Sequence, residues 1–262
     1  MQKPYLNLGA GRVILPGERP FHHSIINPAI YDYPLWLNVD RNDEPGVDEV
    51  VDLFAYPWPW LDNSFDGALL SHLVEHIPHE IRIVPMRQIS GCAHQLQKAQ
   101  DGWYAFFAEL HRVLTPGAQA HILCPYGWSA GAITDPTHTR LVTEHTFTHS
   151  MQPNPDAPFF YETLGLNFAM VGGPAFRVNE LFQHLLPIPE DNEVAAMRKS
   201  ILLREALMTR INVAYDLSVV LEAVKDEADH RVPRTDEGAG AGGEDEARNP
   251  LRLVGDIEDA RL

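Results

Sequence analysis

The stretch YLNLGAG, residues 5–11, decides the fold prediction, because an apolar run ends there directly in Gly9-Ala10-Gly11. The run predicts a buried strand over residues 5–8. Glycine suits the turn that follows, since a side chain would keep the backbone away from a bound molecule and the turn can require a positive φ. The dinucleotide form of this turn needs a third glycine where this chain has Ile14, which disfavours a nicotinamide oxidoreductase.

Further short apolar runs follow this turn, separated by turn residues and amphipathic stretches, which is typical of βαβ units around a parallel sheet. We predict these strands at residues 36–39, 49–53, 65–70 and 118–124. Apolar residues at helical spacing predict a helix over 103–114 that stops at the TPG of residues 115–117. Three prolines between residues 20 and 34 argue against a regular helix after the first strand. The predicted fold class is α/β with a mostly parallel central sheet.

The C-terminal third combines strand-like, helical and acidic patterns. Aromatic and β-branched residues in 159–171 predict one or two closing strands. An apolar stripe predicts a long C-terminal helix over 190–228. The stripe consists of Leu203, Leu207, Ala214, Leu217, Leu221 and Val224. Such a stripe usually packs on its own domain, and a homodimer through it is the alternative. Residues 229–250 hold almost no large apolar side chains, which predicts a mostly disordered acidic tail over 229–262.

Charge and composition narrow the choice of partners. The net charge of −16 comes from 36 acidic and 20 basic residues, and no block of Lys or Arg overrides it. This charge disfavours nucleic acid and anionic membranes and leaves a small-molecule substrate as the expected partner. Only Cys92 and Cys124 are present, too few for a disulfide framework, so we expect a reducing, cytoplasmic location. No signal peptide or transmembrane helix is expected, because no apolar run is long enough.

Two acids follow successive predicted strands. Asp40 ends the WLNVD run and Asp52 lies in EVVDL. A carboxylate at the first position can accept hydrogen bonds from the hydroxyls of a ribose. Asp52, or the backbone amide of Leu53, can meet the edge of an adenine. Either acid alone is more often structural or solvated, but their placement at neighbouring strand ends favours a nucleoside-containing ligand.

The strings LNLGAG, NVD, VVDL, DNSFDGALLSHLVEHI and ELHRVLTPG, in this order, resemble class I S-adenosylmethionine-dependent methyltransferases of the type 11 branch. The resemblance covers about residues 4–150. It implies a Rossmann-like methyltransferase fold with an antiparallel closing strand, and S-adenosylmethionine as the cofactor. We therefore expect a methyltransferase domain over residues 1–185, with insertions near 18–35 and 80–100 that exceed the family's usual spacing.

The same resemblance implies roles for individual residues. The glycine turn wraps the methionine part of the cofactor, Asp40 holds the ribose, and the segment after the third strand contacts adenine. The stretch after the fourth strand lines the methyl-transfer cleft. The implied cofactor-binding residues are Gly9, Ala10, Gly11, Asp40, Asp52, Leu53, Ser71 and His72, with His76 also lining the cleft. Many family members carry an acid where this chain has Asn7, so backbone carbonyls would hold the cofactor's amino group here.

Histidines raise a metal alternative. Residues 72–76 spell HLVEH, the HxxEH pattern of one class of zinc proteases, and His72 and His76 would share one face of a helix. Pro78 follows closely and no third ligand segment is evident, so we expect no bound metal. The remaining isolated histidines, including His23, are predicted to be surface or packing residues.

The DPTHTR segment, residues 135–140, offers a second candidate for chemistry. His138 could act as a general base, because an imidazole titrates near neutral pH, and Arg140 could hold an anionic group of the substrate. The alternative is a loop that Asp135 and Thr137 fix by capping. The predicted catalytic residues are therefore His76 and His138.

The favoured function is methyl transfer from S-adenosylmethionine to a small-molecule or conjugated metabolite. In such transfers the protein mainly supplies alignment and a water-poor cleft. Two alternatives stay open: a non-catalytic Rossmann-like protein that binds a partner through its C-terminal helix, and an HxxEH metalloenzyme.

Overall fold

The described residues form ten β-strands and four α-helices. The computed structural model describes residues 3–17, 21–83, 101–151, 166–180 and 193–225. Its strands are β1 (Tyr5–Leu8), β2 (Trp36–Asp40), β3 (Glu49–Val50), β4 (Ala55–Tyr56), β5 (Phe65–Ser71), β6 (Arg82–Ile83), β7 (Leu114–Pro125), β8 (Phe168–Met170), β9 (Ala175–Val178) and β10 (Ala214–Ala223). Its α-helices are α1 (Gly102–Val113), α2 (Ala130–Thr134), α3 (Glu144–Ser150) and α4 (Glu193–Thr209).

The sheet order is β3-β2-β1-β5-β7-β10-β8, with β9 also paired to β10, while β4 and β6 form a separate small sheet. The strands from β3 to β7 in this order are parallel, and β10 is antiparallel to β7. This confirms the predicted α/β class: a Rossmann-like, mostly parallel sheet with an antiparallel closing strand. Parallel strands carry their carboxyl ends to one edge of the sheet, which is where ligands bind in such folds.

Local sequence explains the first half of the fold. β1 and β5 are buried along most of their length, as expected for parallel strands covered on both faces. Helix α1 begins where the Asp101 side chain accepts a hydrogen bond from the Trp103 N–H at 2.7 Å. The helix predicted over 103–114 is confirmed and ends at Val113, and β7 begins at Leu114 and includes residues 115–117. The strand predicted over 49–53 is shorter in the structure, where β3 spans only Glu49–Val50.

The segment after the glycine turn forms two short 3₁₀ helices, Phe21–Ile25 and Pro28–Asp32, and no regular α-helix. This agrees with the prediction from its prolines. The segment covers one face of the sheet with apolar side chains. The cluster consists of Leu15, Ile26, Ile30, Tyr31, Leu69 and Leu123.

The predicted helix over 190–228 is wrong beyond residue 209. Helix α4 ends at Thr209, the backbone turns at Asn212 with a φ of +59°, and β10 follows. A spacing of four, as between Leu217 and Leu221, satisfies both a helix of period 3.6 and a strand of period 2. Residues 214–223 form a strand because seven of them pair with β7. The sheet therefore includes residues beyond the predicted domain end at 185.

Other predictions fall partly outside the described residues. Of the closing strands predicted over 159–171, β8 accounts for one, and residues 152–165 are not described. Residues 84–100 and the predicted acidic tail also lie outside the described ranges. Large apolar side chains of α4 are exposed, but the homodimer through this helix stays a prediction. Among the described helices, none is both long and apolar enough to cross a bilayer.

Candidate functional site

The predicted cofactor residues meet at the carboxyl edge of the parallel strands. Gly9-Ala10-Gly11 follows β1, Asp40 ends β2, and Ser71 ends β5. Because β1 lies between β2 and β5, the three strand ends are neighbours. The sheet order alone therefore brings the glycine turn, one acid and the start of the HxxEH segment to one edge.

The glycine turn has the backbone that the sequence predicts. Gly9 has a φ of +68° and Gly11 a φ of +52°, a region that side chains disfavour. A Cβ on Gly9 would lie 3.0 Å from the Leu73 side chain, whereas a Cβ on Gly11 would meet no atom within 4 Å. Gly9 is therefore needed for close packing, and Gly11 faces open space. The Ala10 N–H donates to the Val39 carbonyl at 2.9 Å, which ties the turn to β2.

Asp40 holds the glycine turn directly. Its Oδ2 accepts a hydrogen bond from the Gly11 N–H, and its Oδ1 accepts one from the Asn42 N–H, both at 2.9 Å. Each carboxylate oxygen can accept two hydrogen bonds, so one acceptor position on each remains for a ligand. The side chain is buried, at 8% exposure for the residue, which strengthens such bonds.

Asn7 does not take the cofactor-facing role of the acid found in many family members. Its side chain is buried and donates to the Val13 carbonyl at 2.6 Å and to Asn38 Oδ1 at 2.9 Å. Asn38 Oδ1 also accepts from the Leu15 N–H at 2.8 Å. The two amides therefore fasten residues 13–15 to β1 and β2, and Asn7 is a structural residue.

Asp52 and Leu53 form more contacts within the protein than the resemblance implies. Asp52 is half-exposed and forms an ion pair with Arg82 at 2.8 Å, while its other oxygen accepts from the Phe54 N–H at 3.1 Å. The Leu53 side chain is buried in the core, and its carbonyl accepts from Trp58 Nε1 at 3.0 Å. A contact between Leu53 and adenine would therefore use its backbone N–H. Both assignments stay predictions.

Ser71 belongs to a hydrogen-bonded chain that sequence reasoning missed. Its Oγ lies 2.7 Å from His23 Nε2, and His23 Nδ1 lies 2.6 Å from the Tyr31 hydroxyl. His23 is buried, so it is neither a surface residue nor a simple packing residue. No spacing in the sequence signals this arrangement, because it depends on how the 3₁₀ segment folds back over the sheet.

The HxxEH segment is not an α-helix. His72 adopts a φ of +53°, its N–H donates to the Leu123 carbonyl at 2.7 Å, and a short 3₁₀ turn, Val74–His76, follows. His72 and His76 line a cavity of about 370 Å³ at the carboxyl edge. The cavity is also lined by Glu75, Pro125, Ser129, Gly131, Asp135, His138, Arg177, Tyr215 and Asp216.

The two predicted catalytic histidines meet in this cavity. The rings of His76 and His138 are edge to face, with centroids 4.8 Å apart. Glu75 lies beside them, fully buried, and neither of its carboxylate oxygens has a hydrogen-bond partner. The structure thus assembles a Glu–His–His cluster from two segments that are distant in sequence. A catalytic role for either histidine stays a prediction.

Asp135 and Thr137 form capping bonds within the DPTHTR loop. Asp135 Oδ1 accepts from the Thr137 N–H at 2.8 Å and from its hydroxyl at 2.6 Å, and these bonds lower the pKa of Asp135. The role predicted for Arg140 is not supported by its contacts. Its guanidinium donates to the Ile77 carbonyl at 3.0 Å and to Asp101 at 2.5 Å, so it fastens the loop instead of facing a substrate.

Sequence reasoning also missed three residues that line the cavity, Arg177, Tyr215 and Asp216. Arg177 Nε donates to Asp216 Oδ2 at 2.6 Å, and its guanidinium lies 5.0 Å from the centre of the Tyr215 ring. Asp216 is buried on β10, the strand that the sequence predicts as helix.

Burial and the nearby Glu75 and Asp216 carboxylates raise the pKa of the Cys124 thiol, so it is not a thiolate nucleophile.

No protein-family model matches the chain, and no curated protein matches its sequence. Solved structures similar to it include a SAM dependent methyltransferase from Archaeoglobus fulgidus, at 17% identity and a TM-score of 0.46, covering 84% of this chain and 86% of that one. The YcgJ protein from Bacillus subtilis is similar at 12% identity and a TM-score of 0.42, covering 86% and 93% of the two chains. The 1,6-didemethyltoxoflavin-N1-methyltransferase of Burkholderia thailandensis is similar at 13% identity and a TM-score of 0.39, covering 85% and 72%. At these identities and TM-scores the likeness assigns no activity to this chain.

Proposed function

We propose that this protein is an S-adenosylmethionine-dependent methyltransferase. The observation that carries the proposal is the hydrogen bond from the Gly11 N–H to Asp40 Oδ2, which joins the glycine turn to the acid at the end of the next strand. In Rossmann-like folds this pair of features holds the ribose-containing part of a cofactor. The ordered strings that resemble type 11 methyltransferases support S-adenosylmethionine as that cofactor.

The residues at this edge fit the cofactor. Gly11 leaves open space above the turn, and Asp40 has acceptor positions left for two ribose hydroxyls. Bound S-adenosylmethionine supplies a methyl group on a positively charged sulfur, which is a good leaving group. This chain therefore needs to align the acceptor and exclude water more than it needs strong acid or base chemistry.

We propose that the methyl acceptor is a small-molecule or conjugated metabolite that binds in the 370 Å³ cavity. The cavity size suits a ligand of this kind, and the net charge of −16 argues against a nucleic acid. His76 and His138, the predicted proton acceptors, form one wall, and Arg177 and Tyr215 form another. His72, which follows Ser71 at the end of β5, also lines the cavity.

Calorimetric titration with S-adenosylmethionine and S-adenosylhomocysteine tests the cofactor assignment. We expect micromolar binding of both. Asp40→Ala should weaken binding by about ten- to a hundredfold, because charge-assisted hydrogen bonds worth about 1.5–3 kcal/mol are lost. Gly11→Val should weaken it at least as much, since its side chain would enter the ligand space and disfavour the positive φ.

Asp43→Ala is the matched control, because Asp43 is an exposed acid near Asp40 and its loss changes the net charge equally. Its cofactor affinity should equal that of the unmodified protein. Absence of binding to either ligand would overturn the proposal. So would unchanged affinity in both Asp40→Ala and Gly11→Val when circular dichroism shows that the variants are folded.

A further inference from the structure

The Glu–His–His cluster consists of Glu75, His76 and His138. One side-chain ligand atom from each residue lies within 4.8 Å of the other two. The DPTHTR loop is fastened to the HxxEH turn at this point: the Thr139 N–H donates to the Glu75 carbonyl at 2.9 Å, and its hydroxyl donates to the Ile77 carbonyl at 2.7 Å. These hydrogen bonds hold together the two segments that carry the cluster.

The buried Glu75 carboxylate is an independent indication of a cation. Its side chain is 2% exposed, and neither oxygen accepts a hydrogen bond. Glu75 Oε1 lies 3.5 Å from His72 Nδ1 and 4.0 Å from His76 Nε2. Burial of a carboxylate without hydrogen bonds is costly, and a bound cation would offset this cost.

The imidazoles are oriented as metal ligands are. His138 Nδ1 lies 3.1 Å from the Ala132 carbonyl and His76 Nδ1 lies 3.2 Å from the Thr137 carbonyl. A carbonyl only accepts, so each Nδ1 can donate to it, and in the neutral ring Nε2 is then the nitrogen left to bind a metal. Metal-bound histidines typically donate their other ring N–H to a backbone carbonyl or carboxylate in this way.

We propose that Glu75, His76 and His138 bind one divalent transition-metal ion such as zinc. Two imidazole nitrogens and one carboxylate oxygen favour an ion of this class over Mg²⁺ or Ca²⁺, which prefer oxygen ligands. Ligand atoms in a tetrahedral zinc site lie about 3.4 Å apart, so the cluster, whose ligand atoms lie within 4.8 Å of one another, must contract when an ion binds. The remaining coordination position would face the cavity.

This inference replaces two expectations from the sequence. No metal was expected because no third ligand segment was evident, and the structure supplies one in the DPTHTR loop through His138. An imidazole whose Nε2 binds an ion cannot also accept a proton, so in the metal-bound protein His76 and His138 are ligands and not bases. The inference does not depend on the proposed cofactor.

Untagged full-length protein, stripped with a chelator and dialysed, should be titrated calorimetrically with Zn²⁺, Co²⁺ and Mg²⁺. We expect one Zn²⁺ per chain with micromolar or tighter affinity, weaker Mg²⁺ binding by at least about a hundredfold, and the visible absorption of four- or five-coordinate cobalt with Co²⁺. Glu75→Gln and His138→Ala should each weaken Zn²⁺ binding by at least about tenfold. Glu75→Gln keeps the side-chain volume and removes a buried charge that accepts no hydrogen bond, so it should remain folded.

His145→Ala is the control for histidine content, because His145 is exposed and lies outside the cluster. It should bind Zn²⁺ like the unmodified protein. No stoichiometric Zn²⁺ binding, or equal affinity in Glu75→Gln, His138→Ala and His145→Ala, would overturn the metal site. Cofactor affinity measured on the same samples separates that outcome from failure of the proposed function.

Discussion

His121 makes this protein less stable at acidic pH. It lies in β7, is 6% exposed, and its buried Nδ1 has no hydrogen-bond partner. Burial lowers the pKa of His121 from its ordinary value of 6.5 to about 4. The native state therefore keeps the ring neutral at pH values where the unfolded chain binds a proton, and stability falls as the pH drops from about 6.5 towards 4.

The size of the effect follows from the two pKa values. The full shift corresponds to about 3 kcal/mol below pH 4, and at pH 5 the protonation of the unfolded chain accounts for about 2 kcal/mol. Many carboxylates also titrate in this range, so the measurement must isolate His121. His121→Met provides the comparison, because Met has a similar volume and no titratable group.

Urea unfolding followed by tryptophan fluorescence at pH 7.5, 6 and 5 gives the free energy of unfolding for both proteins. Between pH 7.5 and pH 5 the unmodified protein should lose about 2 kcal/mol more than His121→Met. At pH 7.5 the two proteins should differ only by the change in packing. Parallel pH profiles would refute the reasoning, since they would mean that His121 has the same pKa in the folded and unfolded states.

The remaining predictions concern the core and the tail. Arg112 is buried and binds Glu109 and Asp62 at 2.8 Å, so Glu109→Ala should cost about 3–5 kcal/mol in urea unfolding by leaving that guanidinium without its buried partner. A loss below 1 kcal/mol would contradict this reading. Deletion of residues 231–262 should leave cofactor affinity unchanged in calorimetry, because residues 229–250 hold little apolar surface for a core. A large loss of affinity would assign the tail to the site.

Features that depend on neighbours along the chain were predictable from the sequence. The apolar run before Gly9, the glycine turn with its positive φ, and helix α1 all follow from residue type and local spacing. The placement of Asp40 beside the turn was predictable too, because strand ends in a parallel sheet meet at one edge. The 3₁₀ helices Phe21–Ile25 and Pro28–Asp32, in place of a regular helix, followed from proline chemistry.

Other features were decided by contacts between distant segments. Residues 214–223 fit a helix or a strand by spacing, and only the open edge of β7 selects the strand. His23 reaches Ser71, and His138 reaches His76 and Glu75, because the chain folds back over the same sheet edge. The sequence by itself therefore determined the parallel strands of the sheet and the glycine turn, whose causes are local. Only the tertiary structure decided the closing strand and the Glu–His–His cluster, since neither the pairing of distant strands nor the meeting of distant side chains is encoded in local spacing.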